Sequence, residues 1–177
     1  MHTTNAHLLA SNGTAPHSSQ VNGSHPKPSN PVLEHFQKLI GTRFSEHSPS
    51  PLGRWLDCTI LAAERGMLMV ELSVRSELMN PAGTFHGGAI AALMDDVIGA
   101  TIFMLGKKNF FTSVNLVVDY FAPAKKNDRV IAITSIIKEG SNIINAQCEV
   151  WNTDKTKLLA RGTSNLMKIS TEASTIA

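Results

Sequence analysis

Gly87-Gly88 and, eight residues after the first of them, Asp95 are the residues whose types and spacing promise chemistry. They share a proline-free stretch, HGGAIAALMDDVIGATIFML. At about 20 residues it is too long for an ordinary strand and predicts a helix of roughly five turns from His86 to about Leu105, stopped by Gly106. Successive residues turn by about 100°, which puts Ile90, Leu93, Met94, Val97, Thr101 and Met104 on one face, for a sheet to cover. Gly88, Ala91, Ala92, Asp95 and Gly99 fall on the other, with Ile102 at its edge. Small residues let a ligand or a second backbone approach closely. A carboxylate among them, far from either helix end, gains nothing from capping. Asp96 lies about 100° away on the flank, so Asp95 is favoured as the reactive group. The plainer assignment is that both carboxylates are partly solvated and pair with Lys or Arg. At the helix start, Gly87 and Gly88 expose backbone N–H groups at the positive end of the dipole, which stabilises a developing oxyanion. Gly-Gly alone equally marks close packing of a loop on a sheet.

The elements that must position this helix follow from the rest of the chain. Asn30 is suited to cap a short helix with Pro31 at its first position, and Val32, Leu33, Phe36, Leu39 and Ile40 recur at helical spacing. Gly41 ends it. After a Ser/Pro loop from Ser48 to Leu52, Trp55 to Ala63 and Met67 to Val74 form two apolar runs. Glu64-Arg65-Gly66 between them predicts a hairpin. Arg75 to Phe85 is a loop containing Asn80-Pro81-Ala82-Gly83. Beyond the long helix come strand-like runs at Phe111–Phe121, Arg129–Lys138, Asn142–Trp151 and Lys157–Lys168, the last three joined by short turns. One long apolar helix and about six mostly antiparallel strands imply an α+β fold in which the sheet wraps the helix, the last four strands forming a meander.

The 177 residues suit one domain with a sizeable core. Residues 1–29 are expected to be a disordered tail, too polar to offset ordering entropy, with four irregularly spaced histidines better read as solvated than as metal ligands. The folded domain is expected over 30–169, and 170–177 is a polar tail. A net charge of +2 without a dense Lys/Arg block argues against nucleic acid. No segment is long and apolar enough to span a membrane, and the N-terminus lacks the basic, apolar pattern of a secretory signal. Cys58 and Cys148 sit in apolar runs without disulfide or metal-ligand spacing and read as small buried hydrophobes of an intracellular, cytoplasmic protein.

Asn80-Pro-Ala-Gly-Thr-Phe-His-Gly-Gly-Ala-Ile-Ala-Ala-Leu-Met-Asp95 resembles the signature of hotdog-fold acyl-CoA thioesterases, of the phenylacetate-pathway (PaaI-like) and thioesterase superfamily member 2 type. The likeness continues through Phe111-Thr-Ser-Val-Asn-Leu-Val-Val-Asp-Tyr-Phe-Ala-Pro-Ala124 and Lys157-Leu-Leu-Ala-Arg-Gly-Thr163. It implies a hotdog fold: a six-stranded sheet around one central helix, with a short N-terminal helix. It also implies an acyl-CoA thioester hydrolase that needs no cofactor. By the same resemblance, the Gly87 N–H polarises the thioester carbonyl and Asp95 is general base or nucleophile. Asn80 places the thioester or the water, Ser113 orients the water, and His86 is an orienting residue. Many relatives carry Asn or Thr where this chain has Asp96.

Eight helical residues separate Gly87 from Asp95 by about 12 Å along the axis. One carbonyl cannot meet both, since reacting groups must approach to about 3 Å. If both act, they come from different chains. This agrees with the resemblance, which implies a homodimer, or a tetramer built from two dimers, with composite sites. Lys107, Lys108, Lys125, Lys126 and Arg129 are ordinary surface charge or a hold for CoA phosphates. A non-hydrolytic acyl-CoA-binding module on the same fold is the alternative function, although a binder has no need of Asp95. A hydratase would need an Asp/His pair in a different motif.

Overall fold

Asn30 caps the first helix as its type predicts: its side chain accepts a hydrogen bond from the Leu33 N–H, and Pro31 takes the first turn. Helix α1 spans Pro31–Lys38. The Asn30 amide also donates to the Met104 carbonyl (2.8 Å), tying α1 to the far end of the long helix. The computed structural model describes residues 29–173. The expected tail and its histidines lie outside the described residues, Ser29 excepted.

Two short helices follow: α2 (Phe44–His47) precedes the predicted Ser/Pro loop, and α3 (Pro51–Leu56) takes the end of that loop and the start of the predicted strand run. Ser50 accepts from the Gly53 N–H and Pro51 opens α3, the same Ser/Asn-Pro device that begins α1. Trp55 and Leu56 therefore end a helix rather than begin a strand. Asp57 then turns the chain in the left-handed region, φ 60°.

Strands β1 (Thr59–Glu64) and β2 (Met67–Ser73) form the expected hairpin, with Gly66 at φ 81° in its turn. Helix α4 runs Gly87–Phe103, and β3 (Asn109–Tyr120), β4 (Arg129–Glu139), β5 (Ile143–Asn152) and β6 (Leu158–Glu172) follow. The last strand continues through three residues predicted as tail; Glu172 pairs with Asn109.

All six strands join one antiparallel sheet in the order β1-β2-β4-β5-β6-β3. Only β4, β5 and β6 form a meander. The four-strand meander predicted from the sequence is corrected by β3, which pairs with β6 at the far edge. Helix α4 is about 25 Å long and crosses the sheet, so the chain leaves it on the side away from β2. Leu93, Met94, Val97 and Ile98 are fully buried against Leu68, Val70, Ile144, Cys148 and Leu166. The face predicted to meet a sheet does so. Buried Thr101 and Thr134 share a short hydroxyl–hydroxyl bond between helix and sheet, so neither is stranded without a partner. This is the hotdog architecture, with three short helices before the sheet rather than one.

Candidate active site

Helix α4 starts at Gly87 because His86 caps it: the His86 Nδ1 accepts from the Gly88 N–H at 2.8 Å. The His86 carbonyl accepts from Ala89 and Ile90. No acceptor for the Gly87 N–H is found among the described residues. It is thus the open donor at this helix end. Tyr120 closes over Gly87, its hydroxyl donating to the Gly87 carbonyl at 2.9 Å. A Cβ at position 87 would lie 3.2 Å from the Tyr120 ring, so glycine permits this approach.

Two turns along the helix, Asp95 receives a hydrogen bond from the Ser113 hydroxyl, 2.6 Å to Oδ1. Strand β3 serves both ends of the helix through a β-bulge. Ser113 pairs with Leu166 and Asn115 with Asn165, so Val114 is an extra residue. Before the bulge, Phe111 and Ser113 face the helix. After it, Leu116, Val118 and Tyr120 do. Without the extra residue one of these sets would point away.

Asp96 is partly exposed, as the plainer assignment has it, but it does not pair with Lys or Arg. It accepts from the Ser50 hydroxyl at 2.7 Å, beneath α3. Burial, against which the Ser50 bond acts, raises its pKa, and neighbouring Asp95 raises it further. Neither aspartate ends on Lys or Arg; each ends on a serine. Both carboxylates and Ser113 line a cleft of about 570 Å³ between α1, α2–α3, α4 and β3, walled mainly by apolar side chains.

Asn80, His86 and Gly87 do not line that cleft. The Asn80 side chain shapes its own loop, accepting from the Thr84 N–H (3.1 Å) and donating to the Thr84 hydroxyl (2.8 Å). Within one chain the structure therefore brings Asp95 and Ser113 together and leaves Asn80, His86 and Gly87 at the other end of the helix. Sequence reasoning missed Ser50 and Tyr120. The Ser50-Pro51 cap was a usable signal for α3; that its hydroxyl meets Asp96, 46 residues on, had none.

Of the basic residues near the helix end, Lys107 pairs with Glu139, Lys108 with Glu172 and Arg129 with Glu71. Lys125 and Lys126 are exposed on the loop that follows β3. Cys58 and Cys148 are buried free thiols; burial pushes Cys58 up to about 12 and raises Cys148 as well. Neither is a nucleophile near neutral pH. No helix among the described residues is long and apolar enough to cross a membrane.

Comparison with known proteins bears on this geometry. The Thioesterase superfamily matches residues 82–159, which include Gly87, Asp95 and Ser113. Acyl-coenzyme A thioesterase 13 from Homo sapiens is 27% identical over 104 residues, 59% of this chain and 74% of that protein. The E. coli PaaI protein from the phenylacetic acid degradation operon superposes with a TM-score of 0.67 at 16% identity, covering 79% of this chain and 98% of that one. The smu.793 protein from Streptococcus mutans UA159, bound to acetyl CoA, superposes with a TM-score of 0.60 at 20% identity, over 63% of this chain and 88% of that one.

Proposed function

Residues 82–159 match the Thioesterase superfamily, and we propose that the chain is a member of it that hydrolyses acyl-CoA thioesters to free acid and CoA. The observation that carries this reading is the Ser113–Asp95 hydrogen bond at the apolar cleft. The hydroxyl holds Oδ1 and leaves Oδ2 to take a proton from water. That water attacks the thioester carbon, and the oxyanion that forms is met by the Gly87 N–H of a second protomer. Collapse expels the CoA thiolate; thiols ionise near about 8.5, so the leaving group needs little acid assistance. Direct attack by the Asp95 carboxylate, with hydrolysis of the resulting anhydride, uses the same atoms. Neither route calls on a cofactor.

The second protomer is part of the proposal. The helix rise still separates Gly87 from Asp95 by about 12 Å. Strand β3 is an edge strand of 12 residues, with Val114, Val117, Tyr120 and neighbouring Phe121 more than half exposed. Such an edge favours a partner strand. An antiparallel pairing of two β3 edges sets the small-residue faces of the two α4 helices against each other, end for end. Asn80 and Gly87 of one chain then approach Asp95 and Ser113 of the other. A tetramer of two such dimers and a cytoplasmic location complete the proposal, the latter in keeping with two free thiols.

The test compares wild type with Asp95→Ala on a panel of acyl-CoAs, reading thiol release. Turnover that falls by about a hundredfold or more in a folded variant supports the assignment. Equal slow rates remove Asp95 from the chemistry. Binding of acyl-CoA without turnover favours the binding module instead.

A further inference from the structure

Asp96 has no role in the mechanism above, yet its carboxylate is held in a specific place. Two contacts converge there, and a third supports them. The Ser50 hydroxyl donates to Oδ1 at 2.7 Å and accepts from the Gly53 N–H at 3.0 Å, so one hydroxyl both caps α3 and ties it to α4. Gly53 is buried so closely on the carboxylate that a Cβ would stand 2.7 Å from Oδ2. Ser48 supports the turn, its hydroxyl accepting from the Ser50 N–H. Helix α3 has six residues, too few to persist without tertiary contacts. Desolvating a carboxylate costs free energy that an alanine, as at Ala91 or Ala92 on the same helix, would not incur. Packing alone thus gives no reason for this residue.

What the contact holds is one wall of the cleft. Phe44, Pro49 and Pro51 of the α2–α3 segment line it together with Phe103, Phe111 and Asp95. The segment lies outside the residues matched by the superfamily, 82–159, whereas Asp96 lies within them, next to Asp95. We propose that Asp96 is a positioning residue that latches the α2–α3 wall, through Ser50, onto the helix bearing Asp95. The latched wall makes the cleft a site for apolar acyl groups long enough to reach it. This rests on the acyl-thioester reading above. A cleft of about 570 Å³ far exceeds an acetyl group, so the latch acts on longer acyl groups and leaves acetyl-CoA untouched.

The experiment measures kcat and KM of the full chain for acetyl-, octanoyl-, palmitoyl- and phenylacetyl-CoA with wild type, Asp96→Ala, Asp96→Asn and Ser50→Ala. Amide hydrogen exchange over residues 44–56 is followed in parallel. The expected result for Asp96→Ala and Ser50→Ala is a KM raised about tenfold for the acyl groups that fill the cleft. Their kcat and their acetyl-CoA parameters stay within about twofold, and exchange over 44–56 is faster. Asp96→Asn keeps an oxygen for Ser50 and restores the wild-type profile. A uniform fall in kcat for Asp96→Ala and Asp96→Asn alike would overturn the latch and make the Asp96 charge act on Asp95. An unchanged acyl-length profile in Asp96→Ala would overturn it too. If wild type hydrolyses nothing, the thioesterase reading fails by itself. The latch then stands or falls on whether Asp96→Ala speeds exchange over 44–56.

Discussion

Asp95 owes its setting to the Ser113 hydroxyl and the extra residue Val114 that follows it. The bulge lets a single strand aim Ser113 at the middle of α4 and Tyr120 at its start. Removing the hydroxyl leaves the carboxylate in place but free to rotate. Ser113→Ala is therefore expected to lower kcat by about ten- to a hundredfold with KM within about twofold, as fits loss of orientation rather than of the base itself. Steady-state kinetics on the preferred acyl-CoA reads this directly. An equal rise in KM would show that Ser113 binds substrate instead.

At the scale of elements, the ends of the helix and hairpins are fastened by polar ties. Glu139, at the end of β4, takes Arg65 from the β1–β2 turn and Lys107 from the segment after α4. The Arg65 hydrogen bonds, then those of Lys107, lower its carboxyl from 4.5 to about 2. A carboxyl depressed in the fold stabilises it above the unfolded value, and that contribution is lost as pH falls from 4.5 towards 2. Glu139→Gln is thus expected to lower the urea midpoint modestly at pH 6, by the roughly 0–1 kcal/mol of solvated pairs. The difference from wild type should shrink steadily below pH 4.5. A difference independent of pH would mean that the ties contribute through packing instead.

For the whole molecule, the proposed composite site makes a prediction that a self-contained chain does not share. On that proposal, Asp95→Ala and Asn80→Ala homodimers each carry a defect in both sites. In a mixed dimer the two defects fall together in one site and leave the other intact. Co-refolding the two inactive variants should restore turnover, read against each variant refolded alone. No recovery, with mixed dimers demonstrated by mass spectrometry, would place every catalytic group in one chain.

Local pattern was enough to show the long helix, its buried face and the Asn30 cap. Apolar spacing over Ile90 to Met104, the Asn30-Pro31 start and the Gly66 turn act within a few residues, where side-chain period and backbone preference decide conformation. The same spacing separated Asp95 from Asp96 and put Gly87 out of its reach. Tertiary structure decided what depends on long-range contacts. Strand β3 passes to the far edge because α4 carries the chain across the sheet, and no run of residues records that pairing. Asp96 finds Ser50 and Asp95 finds Ser113 only once α3 and β3 have packed against α4. Two adjacent carboxylates with the same chemistry thereby become one bonded to Ser113 on β3 and one bonded to Ser50 beneath α3, because the helix turns them towards different neighbours.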